Sequence, residues 1–392
     1  MALRLRWTRL IVAIVVGLFA TGGASPAAAT PARPTVRWQQ ALPGWGQPVA
    51  DDATAFVLTR RHDVVALDLT TGAVRWRAYT GGPGDAPLGS SIRLAGGHVI
   101  VGDDAIVAFD RRTGRAAWRF VPAEGQGAGI FLGDVAGGMA LAGSASGNLY
   151  AVDTATGGAR WTRRVTPSRN AAVYPPIVAA DRIIVAFTRF DGALSGGLAA
   201  FGLDGGLLWA RSLPAGTGSA GAIVVDGTTA IVAATDGAIR AFSIIDGRPR
   251  WRLPSMRHAA DGTTRGRDIR ALAVAGRTLV AGSLNGALVA YDLDTRRQRW
   301  RYDDGPDEAA ALRLVASDSH VYAPYTDGSL IAVALETGRE HWRMPPASNA
   351  LEWPPFVRGG QVVAAGSSAI VALAAGPPRE ATTASAGSQE AR

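Results

Sequence analysis

The sequence predicts an all-β fold, an eight-bladed β-propeller whose blades are four-stranded antiparallel sheets. Tryptophans recur along the chain, a turn motif precedes most of them, and each period holds four short strand patterns with no helical periodicity. A period of roughly 40 residues with four strands is typical of a propeller blade. The repeating tryptophans are Trp38, Trp76, Trp118, Trp161, Trp209, Trp251, Trp300 and Trp342.

The turn motif reads Ala-x-Asp-x-x-Thr-Gly-x-x-x-Trp. Its complete copies contain Ala66, Asp68, Thr71, Gly72 and Trp76, then Ala108, Asp110, Thr113, Gly114 and Trp118, then Ala151, Asp153, Thr156, Gly157 and Trp161. Later copies depart from it: Ser243 and Ala334 replace the aspartate, Arg296 replaces the glycine, and the copy ending at Trp209 is one residue short. The aspartate accepts backbone N–H groups and the glycine allows a positive φ, so the motif predicts a tight turn between two strands.

Apolar strand patterns precede each motif, and turn dipeptides such as Asp236-Gly237 join several of them. The strand patterns cover residues 98–102, 139–143, 182–187, 221–225, 229–234, 269–274 and 278–282. Residues 356–373 supply three further strands without a tryptophan strand, whereas residues 35–40 supply a tryptophan strand without a blade. Pairing Trp38 beside residues 369–373 closes a ring of eight and removes two open sheet edges. Seven blades with a stray hairpin is the alternative.

The N-terminus has the pattern of a secretory signal peptide. Arg4, Arg6 and Arg9 precede an apolar run, and Ala27-Ala28-Ala29 forms a small-residue cleavage site. An uncleaved anchor is the alternative. We therefore expect a secreted or periplasmic protein with no transmembrane span in the mature chain. Since the sequence has no cysteine, we expect neither a lipoprotein anchor nor disulfides. The predicted regions are a signal peptide (1–29), a single propeller domain (30–375) and a disordered tail (376–392).

Charge and motif composition exclude several functions. Without residues 1–29 the chain keeps 37 arginines against 32 acidic residues, and no basic run or stripe indicates nucleic-acid binding. No nucleophile, phosphate-loop or zinc-protease motif is present. The histidines are dispersed without metal-ligand spacing, and His341 is expected to be exposed; they are His62, His98, His258, His320 and His341. The sequence thus predicts no catalytic residue and no metal site.

The motif resembles the tryptophan-docking repeat of the pyrroloquinoline quinone (PQQ) enzyme propellers, and equally that of their cofactor-free, BamB-like branch. The resemblance covers about residues 35–375 and implies that each tryptophan wedges between neighbouring blades. For a PQQ enzyme it would also imply a disulfide of adjacent cysteines over the cofactor, and a calcium site with a carboxylate base. This chain has no cysteine and no evident run of calcium-ligating acids. We therefore expect no cofactor and a non-catalytic protein; a PQQ-dependent dehydrogenase or another channel-sited enzyme is the alternative.

Binding is expected on the face where loops join the outer strand of one blade to the inner strand of the next. The longest such loop is Pro254 to Arg270, and ring closure should set Trp45 near Trp353. Exposed arginine with aromatic groups is typical of binding hot spots, although solvated loops with locally packed aromatic groups would look the same. The candidates are Trp45, Arg169, Asn170, Tyr174, Arg257, His258, Arg265, Arg267 and Trp353. The expected function is a monomeric interaction scaffold or ligand sensor for a protein or an anionic envelope ligand.

Overall fold

The computed structural model describes residues 32–82, 91–123, 129–168, 170–254, 269–303, 309–345, 351 and 353–375. The predicted signal peptide and C-terminal tail lie outside these residues. Within them the regular structure is entirely β. No helix in this part of the chain is long and apolar enough to cross a membrane.

The first four blades follow one another along the chain as antiparallel sheets, and in blades 1 to 3 the strands pair in sequence order. Blade 1 contains β2 (Gly44–Ala50), β3 (Thr54–Thr59), β4 (Asp63–Asp68) and β5 (Val74–Tyr79). Blade 2 contains β6 (Ser91–Ala95), β7 (His98–Gly102), β8 (Ile106–Asp110) and β9 (Ala116–Phe120). Blade 3 contains β10 (Ile130–Ala136), β11 (Met139–Ser144), β12 (Asn148–Asp153) and β13 (Ala159–Arg164). Blade 4 contains β14 (Ala171–Val173), β15 (Ile177–Ala179), β16 (Arg182–Arg189), β17 (Ser195–Gly202) and β18 (Leu207–Ser212).

Three further complete blades and the closing blade complete the predicted eight. Blade 5 contains β19 (Ser219–Asp226), β20 (Thr229–Ala234), β21 (Ile239–Ser243) and β22 (Pro249–Leu253). Blade 6 contains β23 (Ile269–Ala275), β24 (Thr278–Ser283), β25 (Leu288–Asp292) and β26 (Gln298–Tyr302). Blade 7 contains β27 (Val315–Ala316), β28 (His320–Pro324), β29 (Leu330–Ala334) and β30 (Glu340–Met344). Blade 8 contains β31 (Phe356–Arg358), β32 (Gln361–Ala365), β33 (Ile370–Ala374) and, from the N-terminal side, β1 (Val36–Gln40).

Blade 4 has five strands because its inner strand is divided in two. β14 and β15 both pair with β16, and Pro175 and Pro176 separate them. A proline has no N–H to donate to a sheet ladder, so two consecutive prolines interrupt the pairing. The interruption brings backbone close to blade 3, where a Cβ on Gly143 would lie 2.0 Å from the Val173 carbonyl oxygen.

The N-terminal strand closes the ring as the sequence predicts. β1 is the outer strand of blade 8, with Trp38 opposite Ala372 and Gln40 opposite Ile370. Around the ring, inner strands of neighbouring blades contact each other, and β2 contacts β31 to complete the circle. Each of the eight core clusters combines side chains from two adjacent blades. The blades are therefore held together by hydrophobic burial between them, without a shared central core.

The tryptophans lie between blades. Seven indoles donate a hydrogen bond from Nε1 to a backbone carbonyl of the next blade over 2.8–3.4 Å; the pairs are Trp38 to Leu69, Trp76 to Arg111, Trp118 to Thr154, Trp161 to Leu203, Trp209 to Ile244, Trp300 to Leu335 and Trp342 to Ala375. In six of these seven pairs, all but that of Trp342, the motif glycine of the next blade lies against the indole. At Gly72, φ is +74° and a Cβ would come within 2.7 Å of the Trp38 ring. Both the backbone conformation and the close contact therefore require glycine there.

Arg296 occupies the glycine position of the motif in blade 6. It keeps the positive φ, at 62°, and its guanidinium lies over the Trp251 indole, 5.1 Å from the ring centroid. A left-handed conformation is uncommon for a residue with a Cβ. The cation–π contact compensates for that strain by stabilising the same blade interface that glycine contacts serve elsewhere.

The motif aspartates hold the turns. Oδ1 of Asp68 accepts hydrogen bonds from the backbone N–H and the hydroxyl of Thr71, and Oδ2 accepts one from Arg75. Hydrogen bonds from Arg160 first and Thr156 second lower the pKa of the equivalent Asp153 to about 2. The aspartates therefore stay ionised in the folded protein and organise the turn as charged acceptors.

Candidate functional site

Antiparallel strands in sequence order give the propeller two distinct rims. One carries the turns between the first and second strands and between the third and fourth strands of each blade, including the tryptophan motifs; we call it the docking rim. The other carries the turns between the second and third strands and the connections between blades; we call it the loop rim. Residues 59–63 and 102–106 are two of its turns.

A central channel runs between the inner strands and contains an open cavity of about 640 Å³. That volume is in the range of small-molecule and side-chain binding pockets. Its lining comes from the inner strands and connections of every blade: Gln47, Ser91, Arg93, Phe131, Leu132, Tyr174, Pro175, Gly221, Ala222, Arg270, Ala271, Leu272, Leu284, Leu312, Arg313, Leu314 and Pro354. Three arginines lie in this lining, and none of the described lining residues is a carboxylate.

Arg93 is half-buried in the channel wall, whereas Arg313 is exposed to solvent. Burial lowers the pKa of the Arg93 guanidinium, and Asp134 partly offsets this effect. The carboxylate of Asp134 also accepts a hydrogen bond from the Val178 N–H over 2.9 Å. Because arginine stays protonated despite such a shift, the three arginines give the described part of the channel lining an excess of positive charge.

Aromatic rings support the channel arginines on one side. The Arg313 guanidinium lies 4.3 Å from the centroid of Trp353, which packs edge-on against Trp45 at 5.1 Å. The Arg60 guanidinium lies over the Trp45 ring, 5.4 Å from its centroid. The expected approach of Trp45 to Trp353 is therefore observed. Trp353 is only 5% exposed, however, so it packs behind Arg313 and offers little surface to a partner.

The other sequence candidates have different positions. Tyr174 is half-buried in the channel wall, with its ring 6.4 Å from that of Phe131. Asn170 is exposed on the loop rim, where its carbonyl accepts a hydrogen bond from Phe190 N–H. Arg169, Arg257, His258, Arg265 and Arg267 lie outside the described residues. Their role in binding stays a prediction.

Sequence reasoning missed the channel arginines. Arg93 and Arg270 lie on the inner strands β6 and β23, and Arg313 lies just before β27. An arginine inside an otherwise apolar strand such as SIRLA or IRALAVA was the available signal. The repeat motif lies on the outer strands, so it gives no information about side chains on the inner strands.

Two histidine groups also depart from the sequence expectations. His341 is half-buried and stacks on His320 with centroids 4.7 Å apart, so the expectation that it is exposed was wrong. Its Nδ1 lies 2.6 Å from Nε2 of His320. His62, which looked isolated in the sequence, is buried beside Asp103 and Asp104. Antiparallel pairing and blade packing create both groups from residues distant in sequence.

The described lining residues of the channel do not include the groups that the resemblance to the PQQ enzymes would imply. A site of that kind needs a carboxylate base and calcium ligands, and the described lining residues offer neither, while the sequence offers no cysteine for a disulfide. The described channel residues fit an anionic group held by arginines instead.

The fold and the channel define an eight-bladed, tryptophan-docked propeller with a cationic centre. A family model described as "Outer membrane protein assembly factor BamB" matches residues 27–195, 102–305 and 194–390, and the chain belongs to this family of PQQ-like propellers. The resemblance inferred from the repeat motif is thereby confirmed.

Individual relatives are distant. Outer membrane protein assembly factor BamB of Bordetella pertussis is 26% identical over 219 residues, which are 53% of this chain and 54% of that protein; the match thus spans about half of this curated relative. The crystal structure of BamB from Moraxella catarrhalis has 17% identity and a TM-score of 0.66, covering 88% of this chain and 98% of that chain. A quinohemoprotein alcohol dehydrogenase from Pseudomonas putida has 13% identity and a TM-score of 0.66, covering 88% and 76%. At these identities the two solved structures show the fold alone.

Proposed function

We propose that this protein is a non-catalytic interaction scaffold of the cell envelope that binds an acidic polypeptide segment at its cationic channel. The observation that carries the proposal is the convergence of Arg93, Arg270 and Arg313 in a channel whose described lining has no carboxylate. Guanidinium groups recognise carboxylates with charge-assisted, often bidentate hydrogen bonds.

The physical setting favours binding over catalysis. The tryptophan contacts make the ring a rigid platform, so a partner binds without a large ordering cost in the propeller. Apolar neighbours such as Leu272 and Leu314 lower the local dielectric constant, which strengthens an ion pair formed inside the channel. Trp353 fixes the Arg313 guanidinium by cation–π contact before a partner arrives.

Family membership supports the same function. The family description and the Bordetella pertussis relative both name an outer membrane protein assembly factor. An assembly factor acts through contacts with other proteins, and the N-terminal pattern of residues 1–29 is that of an exported chain. We therefore infer an extracytoplasmic location and a protein partner for this chain.

The test uses a labelled octaglutamate peptide as probe, with octaglutamine as the neutral control. We expect the purified protein to bind octaglutamate alone, with an affinity that falls as salt is added. The double variant Arg270→Gln/Arg313→Gln should lose on the order of tenfold or more in affinity, which corresponds to at least about 1.4 kcal/mol. A matched variant, Arg77→Gln/Arg248→Gln, removes two arginines whose side chains are 48% and 82% exposed on outer strands and turns. It should bind as the parent does.

Equal binding by both double variants would show that the channel is not the site. The alternative function, a PQQ-dependent dehydrogenase, is favoured only by the fold shared with quinohemoprotein enzymes. Adding PQQ and Ca²⁺ to the purified protein and measuring dye-linked oxidation of alcohols or sugars tests it directly. Turnover in that assay would overturn the non-catalytic proposal whatever the peptide measurements show.

A further inference from the structure

A group of buried polar side chains lies on the loop rim between blades 1 and 2, outside the channel. His62 belongs to the turn between β3 and β4, and Asp103 and Asp104 belong to the turn between β7 and β8. His62 and Asp103 are each 1% exposed, and Asp104 is half-buried. One potential ligand atom from each residue lies within 4.8 Å of the other two. Ionisable groups are seldom buried together unless they are paired or hold a metal ion.

The hydrogen bonds leave one imidazole nitrogen without a partner. Nδ1 of His62 lies 2.5 Å from Oδ2 of Asp103, and the Thr80 hydroxyl donates to the same oxygen over 2.7 Å. Because the carboxylate is the acceptor, Nδ1 is the donor, and in the neutral imidazole Nε2 then carries the lone pair that can bind a metal ion. Nε2 is buried and has no hydrogen-bond partner among the described residues. A carboxylate that orients a histidine in this way is the usual support of a metal-binding imidazole.

The backbone around the group is constrained as well. His62 has a φ of 63°, a left-handed conformation that is uncommon for a residue with a side chain and concentrates at functional sites. Opposite it, a Cβ on Gly82 would lie 2.3 Å from the His62 ring and 2.8 Å from Oδ2 of Asp104. Any side chain at position 82 would therefore fill the space between the imidazole and the carboxylate.

The charge of the group is negative. Two carboxylates stand beside one neighbouring cation, Arg119, whose Nη1 donates to the Thr80 carbonyl oxygen. A divalent cation would neutralise the excess charge and would also give the buried Nε2 a partner.

We propose that Nε2 of His62 and the carboxylate of Asp104 bind one divalent transition-metal ion at the boundary between blades 1 and 2, while Asp103 orients the imidazole through Nδ1. Imidazole nitrogen together with carboxylate oxygen suits Zn²⁺ and related first-row ions. Since the ligands come from turns of two blades, the ion would cross-link those blades on the loop rim. The partial exposure of Asp104 leaves room for water in the remaining coordination positions.

Zinc binding to the EDTA-treated, purified protein tests the proposal. We expect calorimetry, and metal analysis after desalting, to give about one Zn²⁺ per chain at this site, with a thermal midpoint that rises with free Zn²⁺. The variant Asp104→Asn changes a half-buried ligand with little change in shape, and should bind at least about tenfold more weakly. His62→Ala should abolish zinc binding at the site. If His62→Ala does not fold, the folded Asp104→Asn protein still decides the test.

Two controls separate this site from other histidines. His98→Ala changes a half-buried histidine of the same blade pair, on the docking rim, and should bind Zn²⁺ as the parent does. His320→Gln/His341→Gln removes the stacked histidine pair of blade 7. This double variant should still bind Zn²⁺ at the proposed site with the affinity of the parent protein. The proposal is wrong if the parent protein binds no Zn²⁺ or if Asp104→Asn retains parental affinity. It is also wrong if only the His320→Gln/His341→Gln protein loses binding.

Discussion

Blades 1 and 7 have the same strand order but different polar contacts on the docking rim. In both, the motif glycine lies against the tryptophan of the preceding blade, Gly72 on Trp38 and Gly338 on Trp300. In both, the indole donates to a backbone carbonyl of the following blade. The two interfaces thus share the tryptophan–glycine contact and the indole hydrogen bond.

The polar part differs at three positions at once. In blade 1, Arg75 donates to the Thr54 hydroxyl over 2.8 Å and to the Asp68 carboxylate over 2.7 Å. Arginine–threonine bonds recur in blades 5 and 6, between Arg250 and Thr229 and between Arg299 and Thr278. The strand register sets His320, Ala334 and His341 at the blade 7 positions of Thr54, Asp68 and Arg75.

In blade 7, two stacked imidazoles fill the space that the arginine and threonine occupy in blade 1. In blade 5 the arginine–threonine bond persists although Ser243 replaces the aspartate. The tryptophan–glycine contact therefore holds the blades, whereas the polar network around it can be replaced. Three predictions test this division.

Removing a docking tryptophan should have the largest effect. Trp38 and Trp300 are each 7% exposed, and truncating either to alanine leaves a cavity and an unpaired carbonyl. We expect Trp38→Ala and Trp300→Ala each to lower the free energy of unfolding by about 3–5 kcal/mol, as buried tryptophan truncations do. Equilibrium denaturation in urea measures the change.

Trp38→Ala also tests ring closure, since Trp38 is on the N-terminal strand. Trp38→Phe is the matched control, because it keeps an aromatic ring and loses the hydrogen bond to Leu69. It should cost less than the alanine variant. If deletion of residues 30–40 left the thermal midpoint unchanged, the closing role of β1 would be refuted.

Changes at the motif glycine should rank second. Gly72→Ala adds a Cβ 2.7 Å from the Trp38 ring at a φ of +74°. We expect it to cost about 1–3 kcal/mol through strain and overpacking. Arg296→Gly makes the reverse change in blade 6, where it relieves a positive φ but removes the cation–π contact with Trp251.

The two effects of Arg296→Gly oppose each other, so its net change should be about 1 kcal/mol or less. Thermal and urea denaturation of both variants make the comparison. If Gly72→Ala left the free energy of unfolding unchanged, the Trp38 ring would have to move freely. The glycine contact would then not hold the blades.

The fold could be predicted from the sequence because its determinants are local and repeated. The aspartate, glycine and tryptophan of each motif encode a turn and a docking strand. Trp38 lies on a tryptophan strand with no blade before it, and this indicated that the N-terminal strand closes the ring. The divided inner strand of blade 4 was also encoded, by Pro175-Pro176, but no repeat motif draws attention to it.

The candidate site was less predictable because its residues meet only through the ring. Arg93, Arg270 and Arg313 are more than 200 residues apart at the extremes and converge because eight inner strands face one channel. His62 meets Asp103 across a blade boundary in the same way. Spacing along the chain therefore gave no signal for either group. Trp45 and Trp353 were an exception, because the predicted closure already brought their loops together.

The smallest effect should come from the polar network, and it should depend on pH. Burial lowers the pKa of His320, and the charge of His341 lowers it further. In the unfolded chain histidine takes up a proton near pH 6.5, so the unfolded state binds more protons than the folded state below that pH. Stability contributed by neutral His320 is therefore complete above about pH 6.5 and is lost as the pH falls through its lower folded value.

The network of blade 1 behaves differently over the same range. Hydrogen bonds from Arg75 first and Thr71 second hold the pKa of Asp68 well below its usual range. Its contribution is complete above the unfolded value of about 4 and is lost only at more acidic pH. The triple variant His320→Thr/Ala334→Asp/His341→Arg would give blade 7 the blade 1 network. We expect its thermal midpoint to fall less between pH 7.5 and 5 than that of the parent, with His98→Gln as the matched control. If the parent and the triple variant lost stability equally over this interval, the histidine pair would not be the pH-sensitive element of the docking rim.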